Sequence, residues 1–220
     1  MLNLLLLSYA LVHLFLFLWT FSWQGQTSWR LNFLRAMLFG MFYDNLITAL
    51  GNTFIAAPWY EAANLPRFFI HSAVLPLLVL FALSVMQQAR VKVADNTLLR
   101  LGCGVFVVGA IAFGLYHEVY LLELTLKPAV GIEKMGSASG QPPWATIATN
   151  ILVLPMAAAV WRVSGWPWFF LSALFIFLVN GATGGQTWGF LAGNVAEIVF
   201  ILGLLATQRH FGLKKGVKTS

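Results

Sequence analysis

Three carboxylates and two histidines stand inside stretches that are otherwise apolar: Asp44, His71, His117, Glu118 and Glu197. An ionisable side chain at the centre of a bilayer costs about 2.5–3.5 kcal/mol on insertion scales, so such a residue marks a function by default. Carboxyl and imidazole groups together do proton chemistry. An acid protonates an alkene, epoxide or carbonyl, and a second carboxylate or a histidine later removes a proton. Crowded carboxylates cannot all ionise, because desolvation and like charge oppose it. One of them keeps its proton and acts as the donor. Asp44, Glu197, His117, Glu118 and His71 form the expected catalytic set.

Helical spacing gathers further residues around these five. Asp44, Thr48 and Asn52 follow i, i+4, i+8 and share a face, with Gly40 and Gly51 close to that stripe. Gly189, Gly193 and Glu197 repeat the pattern, with Asn194 three residues before Glu197. These small-residue faces let two helices approach, so Asp44 and Glu197 are expected to act as one unit that shares a proton. Tyr116, Tyr120 and Glu123 fall on one side of a helix, flanked by His117 and Glu118. Asn45, Asn52, Tyr116, Tyr120, Asn180, Asn194 and Trp188 are expected to bind the substrate.

Other polar residues have plainer readings. Glu61 and Arg67 suit an exposed interfacial pair, and Glu123 and Glu133 suit solvated loop edges. Asn150 and Asn180 also suit bonding to freed backbone groups near helix ends. Gly189 and Gly193 form a G-x-x-x-G that reads as helix packing. His13, alone on its helix, reads as a satisfied core histidine.

The elements that must position these residues are transmembrane helices. Of the 220 residues, 60% are hydrophobic and only 9% charged, and mean hydropathy is +0.81. Soluble domains carry about 25% charged residues, so a surface this poor in charge requires lipid as its solvent. About 20 apolar residues span the hydrocarbon core, and seven such stretches run over 3–22, 33–55, 66–88, 97–123, 146–163, 167–182 and 188–207. The fold class is therefore an all-α bundle of seven transmembrane helices. Residues 1–208 form one domain and 209–220 a basic cytosolic tail. The first stretch resembles a signal peptide but has no basic n-region and no small-x-small cleavage site, so it is expected to remain as a helix.

Orientation follows from the basic residues. With the N-terminus outside and the C-terminus in the cytosol, cytosolic segments hold Arg30, Arg35, Arg90, Lys92, Arg100, Arg162, Arg209, Lys214, Lys215 and Lys218. That is ten of the thirteen Lys and Arg, the bias of the positive-inside rule. All five catalytic candidates and Asn52, Asn150, Asn180 and Asn194 then fall in the middle-to-outer zone. The inner halves of the helices are almost wholly apolar. Lys127 to Pro143 is the one long connection, rich in Gly, Ser and Pro. It is expected to be irregular and to serve as a plain connector or as a lid over an outward-facing cavity. Pro76 and Pro155 are expected to kink their helices.

Several chemistries are excluded. The last helix has no lysine for a retinal Schiff base, and there is no H-E-x-x-H, Gly-x-Ser-x-Gly, Asp-rich diphosphate motif or P-loop. The single Cys103 excludes an intramolecular disulfide and a thiolate cluster. The net charge of +6 is scattered singly, apart from the terminal lysines, so nucleic acid is not a partner. The expected function is an intramembrane isomerase, cyclase or hydratase that needs no cofactor or metal. Its substrate would be a lipophilic, isoprenoid-like molecule in a cavity open to the outer leaflet. One alternative is a haem- or metal-binding subunit using His71 and His117; a second is a transporter for protons or a small solute. The expected location is the plasma membrane of a prokaryote or an endomembrane, with membrane lipid as a partner.

Overall fold

The computed structural model describes residues 1–23 and 28–212. The chain is predominantly helical: α1 (Leu2–Trp19), α2 (Trp29–Ala49), the single turn α3 (Gly51–Phe54), α4 (Tyr60–Val74), α5 (Leu78–Gln88), α6 (Thr97–Leu115), α7 (Trp144–Ser164), α8 (Trp168–Thr183) and α9 (Gly189–Gly212). Five helical segments are long and apolar enough to cross a membrane: Leu2–Ser22, Tyr60–Gln88, Thr97–Tyr120, Trp144–Ser164 and Gly189–Gly212. Of the remaining two expected spans, α8 is apolar but shorter. The other, α2, carries Arg30, Arg35 and Asp44 within 21 residues.

Local chemistry explains the boundaries. Ser28 accepts a hydrogen bond from the Leu31 amide and caps α2. Asn96 caps α6 by accepting from the amides of Leu98 and Leu99. Gly165 ends α7 with a left-handed φ of 73°. At Pro76 the segment Tyr60–Gln88 winds into a short 3-10 stretch, Leu75–Leu77, the break that a missing N–H produces. Pro155 lies inside α7, which continues through it to Ser164. The last helix extends to Gly212, past the expected boundary at 208. Lys214, Lys215 and Lys218 of the expected tail lie outside the described residues.

Two further boundaries differ from the expected ones. The connection after α6 is not irregular: β1 (Leu124–Lys127) and β2 (Lys134–Ser137) form an antiparallel hairpin, with Lys127 opposite Lys134. Glu123 therefore stands outside the helix, its carbonyl accepting from the Ala138 amide at 2.7 Å. Before that, residues Tyr116–Tyr120 are wound as a π turn rather than an α turn.

Contacts sort the bundle into two ends. At the hairpin end, Asn52 donates to the Gly131 carbonyl and accepts from the Glu133 amide. The Val130 amide there donates to the Thr187 carbonyl at 3.2 Å. At the opposite end, Arg35 donates to the Thr20 side chain and carbonyl, and Trp166 Nε1 donates to Thr207 Oγ1 at 3.0 Å. The apolar core lies mainly toward that second end, built on Phe33, Leu38, Phe81, Phe169, Phe200 and Leu204. The outer face of α6 is uncovered, with Leu98 79% and Val105 73% exposed. Such contiguous apolar surface on one helix is what lipid, not water, solvates.

Candidate functional site

A cavity of about 860 Å³ opens within the bundle, bounded by α2, α4, the end of α6, α7, α8, α9 and the segment after the hairpin. Its size is at the upper end of the usual ~300–1,000 Å³ for ligand sites. Its walls are zoned. Ser137, Ser139 and Gln141 line the hairpin side, and Asp44, Arg67, His71, Glu118, Asn150, Asn180 and Glu197 form the next layer. Met37, Met41, Leu75, Ile176 and Phe200 make an apolar floor. On α2 alone, Met37 to Asp44 spans seven residues, about 10 Å at 1.5 Å per residue.

The charged groups are arranged in pairs. Arg67 Nε donates to Asp44 Oδ1 at 2.7 Å, with side chains 9% and 38% exposed respectively. Arg67 Nη1 donates to Asn64 Oδ1 at 2.6 Å and to the Met135 carbonyl at 3.4 Å. Arg67 thus joins α2 and α4 to the hairpin, and it is not the exposed partner of Glu61 that its spacing implies. Glu61 is exposed and apart from it.

His71 Nδ1 faces Glu118 Oε2 at 3.4 Å, and Ser72 Oγ donates to the same carboxylate oxygen at 3.0 Å. The other ring nitrogen of His71 faces Thr146 Oγ1 at 3.4 Å. Gly114, four residues before Glu118, lets α6 close on α4, since a Cβ there would lie 3.1 Å from Ser72 Cβ. His117 packs on Phe113, ring centroids 4.3 Å apart.

Glu197 is the exception. It lines the cavity, yet its Oε2 is buried with no hydrogen-bond partner among the described residues. Asp44, its expected partner, is committed to Arg67. The G-x-x-x-G glycines, expected to bring this helix against α2, close on α8 instead. A Cβ on Gly193 would come within 3.0 Å of Asn180 Oδ1, and one on Gly189 would collide with the Thr183 carbonyl.

All five catalytic candidates line this one cavity. Of the expected substrate-binding residues only Asn180 does so. Asn194 donates to Asn45 Oδ1 at 2.8 Å in a buried link between α9 and α2. Asn52 clasps the hairpin. Tyr116 and Tyr120 are 52% and 78% exposed and stack on each other, and Trp188 is exposed as well. These six support or border the site without lining it. Arg67, Thr146 and the Ser137–Trp144 segment line it, and helical spacing does not flag them as binding residues. His13 is half satisfied: Nδ1 meets the Tyr9 carbonyl at 2.9 Å, while the buried Nε2 has no partner.

No known protein family, curated protein or solved structure matches this chain. What the site can do therefore rests on its own side chains. Among the described residues, no three His, Cys, Asp or Glu gather as a metal centre would need. Lys134, on β2, stands over the Phe190 ring at 4.8 Å. Burial, reinforced by the nearby Arg67, pulls its ammonium below the ordinary lysine range, against the opposing pull of Asp44 and Glu197.

Proposed function

We propose that this chain is an intramembrane enzyme that performs acid–base chemistry of the isomerase, cyclase or hydratase type on a lipophilic, isoprenoid-like substrate. The observation that carries the reading is the Glu197 carboxyl. It stands at the border between the polar layer and the apolar floor, with a buried oxygen that no group among the described residues satisfies. Buried polar atoms are nearly always paired, so an orphan in a cavity wall is an unused valence for a ligand or a proton.

In the simplest cycle Glu197 gives a proton to a double bond, epoxide or carbonyl of the substrate. The His71–Glu118 pair accepts a proton from a neighbouring carbon. Substrate and product then have the same composition, and the proton returns to Glu197 through water at the mouth. Phe68, Phe113 and Phe200 line the cavity and would shield a developing carbocation by cation–π attraction. The Asp44–Arg67 pair holds the wall of the site.

Seven helices cross the membrane in this reading, with α2 and α8 added to the five long apolar segments. The three charges of α2 do not exclude it, because Arg30 and Arg35 lie near one helix end and Asp44 faces the cavity and Arg67. The N-terminus and the hairpin lie outside, since the opposite end carries Arg30, Arg35, Arg90, Lys92, Arg100, Arg162 and Arg209.

The test is isotope transfer. Membranes holding the protein are incubated in D₂O with prenyl alkenes, epoxides and ketones of graded length. Mass spectrometry then follows the lipid extract. Deuterium should enter a product in wild-type membranes, and Glu197→Gln should slow this about 10²–10⁴-fold, the range for a general acid. Undiminished transfer in Glu197→Gln would remove that residue from the chemistry.

A further inference from the structure

We propose that the cavity takes an amphiphile whose polar end is uncharged, an alcohol, ketone or epoxide, and rejects phosphate, diphosphate and carboxylate head groups. This deepens the reading above and rests on its assignment of the cavity as the substrate site.

The inference comes from a census of the polar layer. Three carboxylates face the space: Asp44, Glu118 and Glu197. Against them stand one guanidinium and two imidazoles. Arg67 is flanked by acceptors already, with Asp44 on Nε and Asn64 and Met135 on Nη1. His71 is held between Glu118 and Thr146. His117 packs on Phe113 and lies within the field of Glu118. The remaining nearby cation, Lys134, stands over Phe190 and does not line the cavity.

An anionic head in this layer would lose its hydration and meet the carboxylates of Asp44 and Glu118 beside a protonated Glu197, while the guanidinium that could hold it is shared with Asp44. Burying a charge without a matched partner is among the most costly events in a protein interior. A neutral oxygen has what it needs. It can bond with the Glu197 carboxyl and with Asn180, both of which line the cavity. Asn150 adds an acceptor, because its own amide nitrogen already donates to the Thr146 carbonyl at 3.1 Å. Below this layer the floor of Met37, Met41, Leu75, Ile176 and Phe200 offers a hydrocarbon chain about 0.8 kcal/mol per buried CH₂.

The experiment is competition for tritiated farnesol bound to the full-length protein in lipid nanodiscs, with empty nanodiscs subtracted. Unlabelled farnesol should displace the label at concentrations at least about tenfold below those of farnesyl phosphate. Asp44→Asn, which releases Arg67 toward an incoming anion, should narrow that gap. Asn180→Trp, which fills the cavity from a helix end, should abolish saturable binding. Displacement by farnesyl phosphate at equal or lower concentration overturns the proposed head-group class and leaves the acid–base reading standing. Selective farnesol binding without deuterium transfer to any substrate supports the class and sinks the catalytic reading. Absence of saturable farnesol binding overturns both.

Discussion

At the residue scale, the pairing of Arg67 with Asp44 organises the polar layer. The guanidinium ties two helices and the hairpin carbonyl of Met135 together, so its loss is felt beyond one bond. Asp44→Ala should lower stability by about 1.5–3 kcal/mol, the range for hydrogen bonds to charged groups. Glu61→Ala, at an exposed position, should stay within about 0.5 kcal/mol. Thermal unfolding in detergent, followed by helical circular dichroism, compares the two, and equal shifts would mean that Arg67 does not depend on Asp44. Lys134 supplies a pH signature. Its proton is held less tightly in the folded chain than in the unfolded one, so the unfolded chain binds more protons between the lowered value and the ordinary ~10.4. Stability then rises with pH through that window. Relative to Lys134→Met, the wild type should gain melting temperature as pH increases toward 10.4. A difference that stays constant with pH would show that Lys134 titrates as a solvated lysine does.

At the element scale, the hairpin is the feature that helical periodicity could not foresee. A stretch rich in Gly, Ser and Pro reads as irregular, yet the alternation Leu124–Lys127 against Lys134–Ser137 pairs across a turn. Its anchoring depends on contacts distant in the chain. Asn52 bonds Gly131 and Glu133, and Gly51 is required because a Cβ there would collide with the Glu133 carbonyl. The Ser137–Trp144 segment that lines the cavity hangs from this hairpin. Gly51→Ala and Asn52→Ala should therefore loosen this segment without touching the floor. Hydrogen exchange should speed up at the amides of 124–137, with little change in α5, and the substrate KM should rise several-fold with a smaller effect on kcat. Unchanged exchange at the hairpin would show that the clasp is dispensable. The π turn at Tyr116–Tyr120 is a second such feature, of a kind frequent at functional sites. An α-helical wheel groups Tyr116 with Tyr120 and leaves His117 and Glu118 at its flank. In the π turn the histidine and glutamate line the cavity and the two tyrosines stack on the outside.

At the scale of the whole molecule, the two ends of the bundle differ in charge, and the proposed topology follows from that. In a background lacking Cys103, Ala138→Cys should react with a membrane-impermeant thiol reagent on intact cells, and Lys92→Cys should not. The reverse pattern would invert the orientation and turn the mouth of the cavity to the cytosol. Much of this architecture was legible in the sequence. Hydrophobic run length reports helices long enough for a bilayer, and basic residues between runs report which ends belong together. Asp44, His71, His117, Glu118 and Glu197 were expected at one depth from those two signals alone, because depth in a membrane is set by distance along a helix, and they line one cavity. Their partners were not legible, because partnership depends on helix rotation and packing. Arg67 was expected beside Glu61 and is found on Asp44; Glu197, expected to share a proton with Asp44, lies within its electrostatic reach, but Asp44 is hydrogen-bonded to Arg67. Asn45 and Asn194 looked like ligands and bond each other. One-dimensional periodicity assigns a residue to a level and a rough face. Only the folded chain decides which polar groups at that level satisfy one another and which, Glu197 Oε2 among them, have no partner among the described residues.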